Sequence, residues 1–119
     1  MKMLDEALRY AKAGIPVFPL HWLKQDGTCS CRLGAMCQAA GKHPRIKNWG
    51  EEATTDEDKI TGWWNKTPLA NIGIPMGEKS GLVALDVDTR HNGDKSLAAL
   101  IEEFGELPKT ITATTGGGG

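Results

Sequence analysis

The chain has 119 residues, a formal net charge of −1 and 24% charged residues of mixed sign. That length fits one domain or part of one, with a small core. The charge balance excludes the basic excess by which many nucleic-acid binders announce themselves, so any nucleotide or DNA site has to be argued from local residues. No apolar run reaches the roughly 20 residues of a membrane span. The N-terminal stretch is broken by Asp5, Glu6 and Arg9 and does not read as a signal peptide. A cytoplasmic protein without membrane contact is expected.

Met3, Leu4, Ala7, Leu8 and Ala11 recur at helical spacing, and Gly14 stands where a helix-ending glycine belongs. Residues 16–20 read as a short extended segment whose two prolines favour a sheet edge. Periodicity vanishes over 24–47, where Gly, Cys and basic residues dominate. A loop of that length usually has a function or something holding it together. Thr54 and Thr55 are placed to cap a second helix that begins with Asp56, Glu57 and Asp58 and carries Ile60, Trp63 and Trp64. Residues 70–74 read as a strand, 77–81 as a turn and 82–88 as the strongest strand of the chain, which predicts a hairpin. Asn92-Gly93 signals a turn. Asp94 is then placed to cap a third helix bearing Leu97, Leu100, Ile101 and Phe104, ended by Gly105. Residues 109–115 are rich in Thr and Ile, read as β, and lead into four glycines. No repeat or domain boundary is visible.

Three features carry chemistry. On a strand over 82–88, alternation puts Leu82, Ala84, Asp86 and Asp88 on one face, with Val83, Leu85 and Val87 on the other, the natural core face. Two carboxylates sharing a face repel unless a cation neutralises them, and hard oxygen ligands suit Mg²⁺ or Mn²⁺. In phosphoryl transfer such metals hold a triphosphate and activate the attacking hydroxyl. The plain alternative is a strand running out into a solvated turn, where aspartate is common.

Cys29, Cys31, Cys37 and His43 have the spacing Cys-x-Cys-x5-Cys-x5-His. Three thiolates and an imidazole would complete a closed tetrahedral site for structural Zn²⁺ and explain how a polar loop stays folded. Incidental thiols and a surface histidine are the competing explanation. His21 and His91 are weaker ligand candidates.

Lys42, Arg45 and Lys47 precede Trp49, an interleaving that could contact phosphate and stack on a base, or could be a solvated loop anchored by one tryptophan. Trp22, Trp63 and Trp64 read as core or anchoring residues. The terminal glycines, Gly116 and Gly117 among them, could bring backbone amides close to a phosphate. They lack the Lys-Ser/Thr of a P-loop, so an NTPase is not indicated.

In order along the chain, the stretches ALRYAKAGIPVFPL, GKHPR, ATTD, the 60–64 helix face, ANIGIPMG, SGLVALDVD and LPKTITATTGGGG resemble the bifunctional DNA primase/polymerase N-terminal domain. Each piece is weak, and the ordered set is specific. The resemblance implies template-directed nucleotidyl transfer on DNA with nucleoside triphosphates, in a plasmid, phage or mobile-element replication protein with a helicase downstream. The family's acidic pair falls on Asp86 and Asp88, which would be its metal ligands. A phosphate-contacting histidine and a further acid, which the family places later, would lie beyond Gly119. The chain is therefore expected to be the first part of a single domain, inactive alone. The expected fold is α+β: a mixed, largely antiparallel sheet flanked by helices, with a zinc-stapled loop over 24–47. A non-catalytic, zinc-containing DNA-binding module is the rival reading.

Overall fold

A computed structural model describes residues 2–116, and the chain divides into two compact units, Met1–Val83 and Ala84–Gly119.

The first unit is α+β. Helix α1 (Met3–Lys12) follows the predicted periodicity, with acids in its first turn and bases in its last, as the helix dipole favours. It stops where Gly14 takes φ +82°, a conformation open to glycine, and the Ile15 N–H turns back to the Tyr10 carbonyl. The chain then enters strand β1 (Phe18–Leu20). Helix α2 (Trp49–Glu52) is a single short turn, and α3 (Glu57–Lys66) is the second long helix. Asp56 caps α3: its carboxylate accepts from the backbone N–H of Asp58 and Lys59, at 2.9 and 3.2 Å. Thr54 stands one step back, its hydroxyl accepting from Asp56 N at 3.0 Å. The acid takes the cap in place of the threonines because it adds charge complementarity to the same geometry.

Strand β2 (Asn71–Gly73) pairs antiparallel with β1, Phe18 opposite Gly73 and Leu20 opposite Asn71. Single bridges from Val17 to Thr54 and from Leu20 to Pro44 fasten the other edge of β1. Ala7 and Ala11 of α1, Val17, Ile60 and Trp64 of α3, and Ala70 form the core. The small alanines let α1 approach α3 closely. Trp64 is fully enclosed, and its indole N–H donates to the Ala70 carbonyl at 2.9 Å, so its one polar atom is satisfied.

The strand expected over 82–88 is not formed. The turn before it exists, with Gly81 N–H donating to Gly77 O and Gly77 N–H to Leu82 O, and pairing ends at the Gly77–Leu82 bridge. A strand needs a neighbour to take its N–H and C=O groups, and among the described residues none pairs with this segment past Leu82. The side chains expected in a core are in solvent instead, Val83 91% and Leu85 62% exposed.

The second unit holds a single 3₁₀ turn at Thr89–His91 and helix α4 (Gly93–Phe104). Gly105 ends α4 as the sequence predicts, but Asn92, in the left-handed region at φ 61°, occupies the N-cap, and Asp94 lies inside the first turn. Residues 109–115 form no strand, and Ile111 is fully exposed. No described helix is long and apolar enough to cross a membrane.

Candidate functional site

The 24–47 loop is built from backbone ties to the first unit. Leu23 bridges Cys29 across a tight turn in which Asp26 accepts from the N–H and hydroxyl of Thr28. Ser30 N–H donates to Trp22 O, and a 3₁₀ turn at Gly34–Met36 reverses the chain toward Cys37. The loop returns beside β1, with His21 N–H donating to His43 O and Arg45 N–H to Pro19 O. From β2, the Asn71 amide donates to Gly41 O at 3.0 Å.

These ties gather Cys29, Cys31, Cys37 and His43 so that their ligand atoms all lie within 4.8 Å of one another. His43 Nε2 is 3.6 Å from Cys29 Sγ and 3.5 Å from Cys37 Sγ. In a tetrahedral zinc site with Zn–S near 2.3 Å and Zn–N near 2.05 Å, the S–N edge is about 3.6 Å. The donor set and its spacing are therefore compatible with a structural zinc. Burial pushes the Cys29 thiol up, but the backbone N–H groups of Cys31 and Gly41 and hydrogen bonds from His43 and Cys31 outweigh it and bring the thiol down to about 6. A Cys29 thiolate is the form a metal binds. At Cys37 the Ala39 backbone N–H acts downward, yet burial and the neighbouring Cys31 and Cys29 sulfurs leave its thiol raised. Three sulfurs this close together repel once they ionise, and a cation would relieve that repulsion.

A supporting layer surrounds the group, of which the sequence offered His21 alone, as a weaker ligand. The His21 ring lies 4.5 Å from the His43 ring, and its Nδ1 hydrogen-bonds Ser30 Oγ at 2.8 Å. Burial first, then the charges of His43 and Arg45, lower the His21 pKa, which favours a neutral ring beside the cluster. Gly41 N–H donates to Cys29 Sγ at 3.4 Å. Only the Cys-His spacing was legible beforehand, because His21, Ser30, Gly41 and Asn71 act through contacts that chain folding creates.

The acidic pair is differently placed. Asp86 is exposed, and Asp88 is half-buried at the start of the 3₁₀ turn, where it accepts from Arg90 N at 3.0 Å, Arg90 Nε at 3.4 Å and His91 Nδ1 at 2.7 Å. The His91 hydrogen bond, aided by Arg90, holds the Asp88 carboxyl below its usual range. His91 is thus an Asp88 partner, and neither it nor His21 belongs to the Cys-His group. Among the described residues, no cluster of three or more metal-ligating side chains includes Asp86 or Asp88.

Lys42 and Arg45 are exposed, and none of the ion pairs among the described residues takes either of them. Lys42 lines an open groove with Phe18, Leu20, Pro44, Trp49 and Ile72, among others. Trp49 stacks on Phe18 with ring centroids 4.9 Å apart. Gly116 sits in an exposed turn, and Gly117 lies outside the described residues.

Neither the curated proteins nor the solved structures offer a match to this chain. A family model does: the bifunctional DNA primase/polymerase N-terminal domain matches residues 7–119, a span that includes the Cys-His group, the groove and the acidic pair, and the chain belongs to that family.

Proposed function

We propose that this chain supplies the first part of a metal-dependent primase/polymerase centre, with Asp86 and Asp88 as the carboxylates that hold Mg²⁺ or Mn²⁺. The family match carries the proposal, since it places DNA and nucleotide chemistry on a chain whose acidic pair sits at the end of an apolar segment. The reaction is attack of a primer 3′-hydroxyl on the α-phosphate of a nucleoside triphosphate, with pyrophosphate leaving. A bound divalent cation would neutralise triphosphate charge and stabilise the charge that develops in the transition state. Asp86 is open to solvent and free to ligate; Asp88 has to share its oxygens between the cation and the Arg90 and His91 donors. Among the described residues no third metal-ligating side chain is clustered with them, so the pair alone should hold the ion weakly, and residues 1–119 by themselves are expected to be inactive.

Lys42, Arg45, Gly116 and Gly117 are assigned to phosphate contacts of nucleotide or DNA. Zn²⁺ at Cys29, Cys31, Cys37 and His43 serves to hold the 24–47 loop against β1. The biological setting we favour is replication of a plasmid, phage or mobile element, in the cytoplasm, with a helicase domain in the same protein.

The test is primer synthesis and extension, with Mg²⁺ or Mn²⁺, by the longer protein carrying this domain, beside its Asp86→Asn and Asp88→Asn variants. Loss of at least a hundredfold in either variant is expected. Full activity in both would remove the catalytic assignment. One observation favours a second reading, a non-catalytic zinc-containing DNA-binding module: the Cys-His group is assembled and flanked by Lys42 and Arg45, which take part in none of the ion pairs among the described residues, whereas among those residues the acidic pair is in no ligand cluster. That reading requires DNA binding to persist, and no nucleotide to be incorporated by any version of the protein.

A further inference from the structure

The groove beside the Cys-His loop has a composition that the metal chemistry does not explain. Its floor is apolar: Phe18 and Leu20 of β1, Ile72 of β2 and Pro44. On its rim stand Lys42 and Trp49. The open space is about 560 Å³, within the roughly 300–1,000 Å³ typical of ligand sites. The floor owes its shape to Gly73, because a Cβ there would fall 2.5 Å from the Phe18 ring, so only glycine lets that ring lie across β2. Phe18 in turn supports one face of the Trp49 indole, while Trp49 remains 43% exposed. The Trp49 ring is thus packed on Phe18 and leaves part of its surface free for a stacking partner.

Charge selects the occupant. The segment from Lys42 to Trp49 carries Lys42, Arg45 and Lys47, all exposed and in none of the ion pairs among the described residues. Among the described residues, no acidic side chain lines the groove. Of the nearby acids on α2, Glu52 is already paired with Lys59. An occupant with an apolar face and a repeating negative charge fits such a surface. Nucleic acid with unpaired bases has both, whereas the base faces of a duplex are already stacked on one another.

We propose that this groove seats single-stranded DNA, one base stacking on the open face of Trp49 while the adjoining phosphates meet Lys42 and Arg45. The proposal rests on the reading that this family member handles DNA, and it adds the surface that grips the unpaired strand. Readout here is by stacking, so it tolerates sequence, as a template grip requires.

The experiment is fluorescence anisotropy of a labelled oligothymidine with the full chain, its Trp49→Ala, Trp49→Phe and Lys42→Gln variants, and an abasic oligonucleotide of equal length. Zinc content and thermal melts monitor folding. Stacking of one base is worth about a 5- to 150-fold change in affinity. Trp49→Ala should therefore weaken oligothymidine binding about tenfold or more, Trp49→Phe should retain most of it, and Lys42→Gln should lower the salt slope by about one. The abasic strand should bind wild type as weakly as oligothymidine binds Trp49→Ala. Equal binding of the thymidine and abasic strands by wild type would overturn the proposal, and that comparison stands even if Trp49→Ala does not fold. Unchanged affinity in a folded Trp49→Ala would overturn it too, as would a Trp49-dependent response to free triphosphate with none to the strand. Trp49-dependent strand binding in a protein that incorporates no nucleotide would leave the groove assignment standing and remove the catalytic one.

Discussion

Stripping the metal from the Cys-His group should unfold the 24–47 loop and leave the α1–α3 core folded. Ordering a loop of this length costs about 1–2 kcal/mol per residue, on the order of tens of kcal/mol in all. Against that, little is buried: Cys29 and Gly41 are the enclosed residues between 24 and 47. The backbone ties, Lys24 to Thr28, Ser30 to Trp22, His21 to His43 and Arg45 to Pro19, with the Asn71 amide on Gly41, are worth about 1 kcal/mol net apiece. They fall well short of the ordering cost. A structural zinc supplies about 10–16 kcal/mol, more than all of those ties together. The core does not draw on the loop, since Ala7, Ala11, Val17, Ile60, Trp64 and Ala70 pack among themselves. The assay is hydrogen exchange before and after chelation, with one bound zinc per chain measured first and cobalt substitution used to read thiolate ligation. Amides of Gly41, His21 and Ser30 should lose protection by about a thousandfold or more, and those of Ile60 and Thr67 by less than about tenfold. A protein that binds no metal after reconstitution, or a loop equally protected with and without it, would refute the argument.

Two further perturbations follow from the same geometry. Gly73→Ala forces a Cβ into the Phe18 ring and should destabilise the first unit by about 1–3 kcal/mol in urea unfolding, loosening the Trp49 stack as it does so; an unchanged midpoint would mean that Phe18 moves aside freely. His91→Ala removes the donor that does most to depress the Asp88 carboxyl, so its titration, followed by carboxyl NMR, should move up toward the ordinary range. Because the Asp88 value is lowered in the folded chain, its contribution to stability is present above the ordinary carboxylate pKa and disappears as pH falls through the lower folded value. The variant should flatten that acid limb, and an unshifted titration would show that His91 does not act on Asp88.

The two long helices of the first unit, and the helix that begins after Asn92, were legible from the sequence because helical periodicity, caps and terminal glycines are local properties. The cap of α3 moved by one or two residues to Asp56, and that of α4 to Asn92, since several adjacent polar residues compete for the same orphan N–H groups. The α+β class and the family were legible too, the latter because an ordered series of weak motifs becomes specific when taken together. The spacing of Cys29, Cys31, Cys37 and His43 was sufficient to nominate the ligand set.

Distances belong to the tertiary structure alone. That His43 Nε2 lies 3.5–3.6 Å from two of the sulfurs, and that His21 and Ser30 stand behind it, depends on backbone ties between residues far apart in sequence. The same holds for the groove: the sequence linked Lys42 with Trp49, but Phe18 and Ile72 join them only because the 42–49 segment runs back beside β1. The segment over 82–88 is the converse case. Its β-branched, alternating pattern states a capacity to form a strand, but pairing is non-local, and among the described residues no neighbour takes that capacity up past Leu82. Composition determines which faces a segment offers; the neighbours that folding supplies decide whether those faces are covered.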